Sequence, residues 1–451
     1  MQTISEQQQD LMAGRTSSRG LVDEALARID NPAGEGARTF IRVFRDEALA
    51  VADAADSLRR YGIVPSPMAG VPVAVKDLCD VRGVTTLAGS ACRNEAPAAA
   101  QDAPVVARLR AAGAIIIGTT NMNEFALGIT GVNPHYGTPK NPWDRTTGRI
   151  PGGSSCGSAV AVSDGMAGAA VGTDTAGSIR IPSGLCGLVG FKPTARRIPR
   201  AGVFELSRSL DSVGPIAMTV ADCALMDAIL SGEAPGSLAP FPLAGLRFGA
   251  VESLMLDGMD EIIAAGYDRA LRSLADAGAT IMALKIPDLD DMPHITRFGG
   301  LSIVEGYANF KPYLDREDGG VDPNVGARLR LAEEVSAREY IELLDIRTAM
   351  IASVDRQTRP FDAVLMPTCP TIPPPITEME DPDGWRGYNR TGTMRGVVAN
   401  FLDRCALTVP CHTPGEPPVG LTLMGETMGD RRLMDIGLAA EQVLGDKCMG
   451  H

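Results

Sequence analysis

Gly152-Gly153-Ser154-Ser155-Cys156-Gly157-Ser158 and Gly172-Thr173-Asp174-Thr175-Ala176-Gly177-Ser178 form two serine-bearing turns, and a lone lysine, Lys76, lies upstream of both. Glycine tolerates positive φ and lets backbone amides approach a ligand closely, so Gly-Ser clusters build pockets lined by N–H donors beside hydroxyls. A developing oxyanion needs that lining. A single Gly/Ser cluster ordinarily reads as a flexible exposed turn. Here the stretch between the turns, Ala159-Val160-Ala161-Val162 and Met166 through Val171, is small and apolar. It predicts two buried turns joined by a packed helix.

Composition narrows the function classes. The chain has 451 residues, 45% hydrophobic and 22% charged, which describes a soluble globule with ample core. A net charge of -13 argues against binding nucleic acid or an anionic membrane, since both depend on a basic face. A small or neutral substrate is easier to accommodate. The start, Met1-Gln2-Thr3-Ile4-Ser5-Glu6-Gln7, lacks the basic and apolar regions of a secretory signal, and no apolar run approaches the ~20 residues of a membrane helix. The nine cysteines are scattered without a CxxC pair. Reduced thiols, no metal site, no cofactor and a cytoplasmic location are the expectation.

Outward from the serine turns, the pattern is α/β. Residues 1–60 read as N-terminal helices, with Ser18 capping a segment that carries Leu21, Ala25 and Ile29, and a second helix over 47–58. Gly70-Val71-Pro72-Val73-Ala74-Val75-Lys76-Asp77 is a β-branched run ending in charge, which places Lys76 at the end of a buried strand. Helix over 105–112, strand over 114–118 and strand over 188–191 continue the alternation and predict a central mixed sheet covered by helices on both faces. We expect a single domain, 1–451, with a catalytic core at 61–240, a helical peripheral layer at 288–359 whose longest helix runs from Arg328 to Val354, and a return to the core at 360–451. That last part closes with a helix from Asp430 to Leu444.

Several catalytic schemes compete for the serines. Gly153-Ser154-Ser155-Cys156-Gly157 matches the Gly-x-Ser-x-Gly nucleophile elbow centred on Ser155, but that scheme needs a downstream histidine. The chain has His135, His294, His412 and His451; the first precedes the motif, His451 is the last residue, and the other two lie beside prolines or charge. Neither an HExxH set nor a P-loop is present. A lysine base remains, because burial disfavours the ammonium form and lowers its pKa toward ~7–8. Lys76 follows Val71, Val73 and Val75. Alone, it would read more readily as a snorkelling strand-end lysine paired with Asp77 than as a base.

These residues resemble the amidase signature family. The resemblance runs from Gly70-Val71-Pro72 with Lys76-Asp77, through Gly118 to Phe125, the two serine turns, Ile179-Arg180-Ile181-Pro182 and Cys186 to Thr194, to Leu365-Met366-Pro367-Thr368 and Pro418 to Leu421. It implies the amidase signature fold and a Ser-cisSer-Lys triad in which Ser178 is the nucleophile, Ser154 the bridging serine in a cis peptide and Lys76 the base. The 24-residue offset from Ser154 to Ser178 agrees with the family pattern. The same resemblance implies an oxyanion hole from the N–H groups of Thr175, Ala176, Gly177 and Ser178. Ser155 is expected to support Lys76, and Asp174 and Arg180 to pair across the turn. Cys156, Ala176 and Ile181 depart from the commoner family residues; Cys156 reads as a packed bystander.

Thr175-Ala176-Gly177-Ser178, Ser209-Leu210-Asp211 and Asn400 to Ala406 resemble allophanate hydrolase and biuret hydrolase relatives, which implies a small carboxamide or urea-like amide as substrate. Tyr388, Arg390 and Arg395 are the candidate contacts for a substrate end group. The alternative is a glutaminase-type subunit of an amidotransferase. Two assemblies are compatible with these readings, a homodimer and a complex with a small partner subunit.

Overall fold

In the computed structural model, which describes residues 2–316 and 319–448, the apolar runs come together in one sheet of eleven strands. In chain order these are β1 (Phe40–Val43), β2 (Pro72–Lys76), β3 (Ile115–Thr120), β4 (Ala169–Asp174), β5 (Val189–Lys192), β6 (Ser212–Ala217), β7 (Arg247–Val251), β8 (Thr280–Leu284), β9 (Ala363–Pro367), β10 (Ala406–Pro410) and β11 (Gly420–Met424). They lie side by side as β1-β3-β2-β4-β6-β5-β10-β11-β9-β7-β8. β2 runs parallel to β3 and β4, and β7 parallel to β8 and β9, while the strands between β4 and β9 pair antiparallel. The sheet is therefore mixed, as expected.

Strand alternation sorts side chains to the two faces. Val73 and Val75 pack on one face with Val105, Val106, Leu109, Cys223 and Met226. Ala74 faces the other way, among Leu26, Ala159, Val160 and Ile117. Lys76, two residues beyond Ala74, shares the second face. The helix Cys156–Ser163 covers that face and is buried along its whole length. Small residues allow it: a Cβ on Gly157 would stand 2.4 Å from the carbonyl oxygen of Thr39.

Four expectations are corrected. The two serine turns are not joined by one packed helix: Cys156–Ser163 is helical, and Ala169–Asp174 is the buried strand β4, its Ala169 and Val171 facing one side and Ala170 the other. The helix from Arg328 to Val354 is broken. Pro323–Arg330 ends in a tight turn at Leu331–Glu334, and a new helix, Ala337–Thr358, starts from a capping box formed by Ser336 and Glu339. Ser17, in extended conformation, caps the helix Ser18–Asp30, because Ser18 is already its first helical residue. The N-terminal region also contributes the edge strand β1, antiparallel to β3. Among the described residues no helix is long and apolar enough to cross a membrane.

Candidate active site

Lys76 ends β2 with no solvent exposure. Its Nζ donates to Ser154 Oγ at 2.7 Å and to Thr173 Oγ1 at 2.8 Å. Among the described residues no carboxylate pairs with it, and Asp77 points elsewhere, accepting from the N–H of Gly89 at 3.3 Å. Burial therefore dominates and pulls the amine down to about 7, against weaker opposing contributions from Cys156, Cys79, Asp211 and Asp174.

The Gly153–Ser154 peptide is cis. Ile129 and Asn123 grip this turn. Gly153 N–H donates to the Ile129 carbonyl at 2.7 Å, Asn123 N–H to the Ser154 carbonyl at 3.2 Å, and Asn123 Oδ1 accepts from Gly131 N–H at 2.9 Å. The Ser178 turn is tied to it through the main chain, Ser155 N–H donating to the Ser178 carbonyl at 3.2 Å. No hydrogen bond joins Ser154 Oγ to Ser178 Oγ among the described residues. Such contacts are commonly long in free enzymes and tighten with substrate.

Asp174 organises the second turn. Its carboxylate accepts from Gly177 N–H at 2.8 Å and Ile179 N–H at 3.1 Å, and from Arg180 Nη2 and Nε at 2.9 and 3.0 Å. Burial alone would raise this acid; the Arg180 charge and hydrogen bonds more than reverse that and hold it at about 2. Arg180 reaches on to the Gly396 carbonyl at 2.7 Å and Asn400 Oδ1 at 2.8 Å, and Asn400 Nδ2 donates back to the Asp174 carbonyl at 2.8 Å. The far C-terminal segment thus clamps the turn. Gly177 has φ 103°, in the region that favours glycine, and its N–H is engaged by Asp174. The N–H groups of Thr175, Ala176 and Ser178 have no acceptor among the described residues, so these three, rather than Gly177, are free to meet an oxyanion.

Other candidates fall elsewhere. Among the described residues no hydrogen bond joins Ser155 to Lys76; Ser155 Oγ donates to the Thr173 carbonyl at 3.3 Å, and Thr173 Oγ1 accepts from the lysine. Cys156 is buried and its thiol is pushed up to about 12 by that burial, an inert setting. His135 pairs with Glu124 at 2.9 Å, His294 is exposed, and His451 lies outside the described residues, as does the side chain of Cys448. Tyr388 packs against Ile129, Ile181, Leu185 and Cys369. Arg390 is exposed on an outer cavity. Arg395 donates to the carbonyls of Leu254, Thr391 and Asp257, anchoring the loop after β7. None of Tyr388, Arg390 and Arg395 lines the cavity at Ser178.

That cavity is small, about 20 Å³, room for little more than a water molecule. Gly128, Thr175, Ala176, Ser302, Arg328 and Thr393 are among the residues around it. Arg328 and Thr393 also line the outer cavity of about 920 Å³. Sequence reasoning used Arg328 only to start a helix and overlooked Thr173 and Thr393. Thr173 carried a signal, being the strand residue immediately before Asp174; Arg328 and Thr393 carried none.

Lys76, desolvated and bonded to Ser154 in its cis turn, lies beside the Ser178 turn, and residues 21–434 match the Amidase family. The chain belongs to that family, whose members hydrolyse amide C–N bonds. It is 38% identical over 409 residues to 2-amino-5-chloromuconic acid deaminase of Comamonas testosteroni, covering 90% of this chain and 87% of that protein. It is 33% identical to a glutamyl-tRNA(Gln) amidotransferase subunit of Chloroflexus aggregans, covering 98% and 96%. Among solved structures it is similar to the chain described in the words "An unexpected vestigial protein complex reveals the evolutionary origins of an s-triazine catabolic enzyme", with TM-score 0.86, 32% identity and coverage of 99% and 98%.

Proposed function

We propose that the protein hydrolyses the C–N bond of a small carboxamide or urea-like amide through an acyl-enzyme on Ser178. Ser178 Oγ bonds to the carbonyl carbon while its proton passes to Ser154 and the Ser154 proton to neutral Lys76. The same path returns a proton to the leaving nitrogen as the C–N bond breaks, releasing ammonia or an amine. Water then attacks the ester, its proton again taken along Ser154 and Lys76, and Ser178 is regenerated with release of the acid. The N–H groups of Thr175, Ala176 and Ser178 receive the oxyanion. The observation that carries this reading is Lys76: fully buried, without an acidic partner among the described residues, and bonded to Ser154 at 2.7 Å.

Ammonia release by the wild type and by Ser178→Ala tests the reading, with hydroxylamine used to trap the acyl group. Loss of activity with an unchanged fold is expected; full activity in Ser178→Ala would overturn it. The likeness to a glutamyl-tRNA(Gln) amidotransferase subunit supports a second reading, a glutaminase that passes ammonia to a partner. Co-purifying partner proteins together with glutamine-dependent ammonia release would favour that reading over a free amidase.

A further inference from the structure

We propose that Asp211 is a positioning residue for the reaction at Ser178: its one carboxylate fixes the Thr175 end of the oxyanion hole together with Leu206, a second residue of the cavity wall. This deepens the function proposed above and rests on it. Asp211 is buried, one residue before β6. Its Oδ1 accepts from Thr175 Oγ1 at 2.5 Å, and its Oδ2 accepts from Leu206 N–H at 2.9 Å and Ser207 N–H at 3.0 Å. Thr175 and Leu206 both line the small cavity at Ser178.

The polarity of these contacts is fixed. Burial pushes Asp211 up to about 6, so at pH 8 it is a carboxylate, which only accepts. The Thr175 hydroxyl is therefore spent as a donor to Asp211, and the Thr175 N–H is the group left to meet an oxyanion. A short O–H···O⁻ bond belongs to the strong class, and a β-branched side chain has few χ1 choices. Holding Oγ1 therefore holds the main chain of Thr175, on which the aim of its N–H depends.

Field and position act in opposite directions here. A negative group behind the hole opposes an oxyanion, and among the described residues no cation pairs with Asp211. Arg200 donates instead to the carbonyls of Ser207 and Asp211 at 3.3 and 3.2 Å and of Arg208 at 2.9 Å. The Ser207 and Ser209 hydroxyls donate to Glu305 on the helix Gly300–Leu314. The loop is thus braced without the Asp211 carboxylate, and the contact that no other group supplies is the one to Thr175.

Asp211→Asn separates the two effects. With its carbonyl oxygen kept by the Leu206 and Ser207 amides, its NH2 faces Thr175 Oγ1, turns that hydroxyl from donor to acceptor and lengthens the contact toward the ~2.9 Å of an N–H···O bond. Losing the charge favours an oxyanion, whereas losing the position disfavours it.

Methylboronic acid reads the outcome without turnover. Ser178 Oγ bonds to boron, its proton passes by way of Ser154 to Lys76, no bond to boron breaks, and the tetrahedral adduct sets a negatively charged oxygen shell at the hole. In calorimetric titration at pH 8, with folding checked by circular dichroism, Asp211→Asn and Thr175→Val should each bind it at least about tenfold more weakly than wild type, and the double variant no more weakly than the weaker single. Thr175→Ser, which restores the hydroxyl, should recover most of what Thr175→Val loses. Ammonia release from propionamide should show a loss of about 10- to 100-fold in kcat for Asp211→Asn, with KM changed by less than about threefold.

Equal or tighter boronate binding by Asp211→Asn, losses that add in the double variant, or a loss confined to KM would overturn the assignment. Should Asp211→Asn not fold, Thr175→Val and Thr175→Ser decide it by the same titration. A boronate adduct that survives Ser178→Ala, or that is absent from the wild type, would instead remove the hydrolytic reading on which the assignment rests.

Discussion

Thr173 Oγ1 lies 2.8 Å from Lys76 Nζ, joining residues 97 positions apart and giving the buried amine its second contact after Ser154. The oxygen accepts from the lysine, so it favours the charged form slightly in a setting that otherwise disfavours it. Thr173→Val keeps the shape and removes this acceptor. We expect the midpoint of the pH dependence of kcat/KM to move to lower pH, with kcat reduced by about tenfold as the amine loses its orientation. An unmoved midpoint would separate Thr173 from the lysine's chemistry.

The wild-type pH profile follows from Lys76 itself. Burial lowers it from 10.5 to about 7, so the neutral form that accepts a proton grows as pH rises through 7, and activity should rise with it before levelling. Lys76→Ala should lose on the order of 10²–10⁴-fold at neutral pH, and the deficit should narrow at alkaline pH as hydroxide substitutes. A profile of unchanged shape in the variant would remove the lysine from the role of base.

Arg180 and Asp174 form a pair with side chains 5% and 0% exposed, and their separation has a predictable cost. Arg180→Met leaves a buried carboxylate without its cation and should destabilise the protein by about 3–5 kcal/mol in urea denaturation. The sign with pH is definite. Asp174 is held at about 2, below its ordinary 3.8, so its contribution is present above 3.8 and is lost as pH falls through 2. In Arg180→Met that low value is lost, protonation relieves the stranded charge, and the deficit relative to wild type should be smaller at pH 4 than at pH 7.

Gly153 leaves no room for a side chain: a Cβ there would stand 1.9 Å from Asn123 Oδ1 and 2.7 Å from the Gly131 nitrogen. Gly153→Ala must displace the strut that holds the Ser154 turn. We expect a loss of about 1–3 kcal/mol in stability and a larger fractional loss of activity, since the lysine contact depends on the position of Ser154. Thermal melting and ammonia release on the same preparation check both; a variant with wild-type kcat would show that the turn tolerates the shift.

Much of the scaffold was legible because it rests on local periodicity. The run at Val71, Val73 and Val75 marked β2, the apolar run at 114–118 marked β3, and the pattern after Asp430 marked the closing helix. The exceptions have local causes too. Met166 to Val171 is small enough to read as helix, yet it sits between β2 and β6, where Val171 meets Val75 and Pro215. Ser336-Ala337-Arg338-Glu339 is a capping box that marks a helix start inside what periodicity alone read as one long helix.

By itself, the sequence determined the family and the strands that carry a β-branched or continuous apolar run, β2, β3 and β5, and it singled out Lys76, Ser154 and Ser178 as candidates, because side-chain chemistry and short-range spacing are written into neighbouring residues. Only the tertiary structure decided which groups share a dielectric and which are left without a partner. Lys76 is desolvated by the packing of distant segments and meets Ser154 across 78 positions, and Gly177 N–H is taken by Asp174. Arg328 faces Thr393 across 65 positions with one nitrogen unsatisfied. Burial and pairing depend on what the fold brings alongside a residue, and no local pattern encodes that.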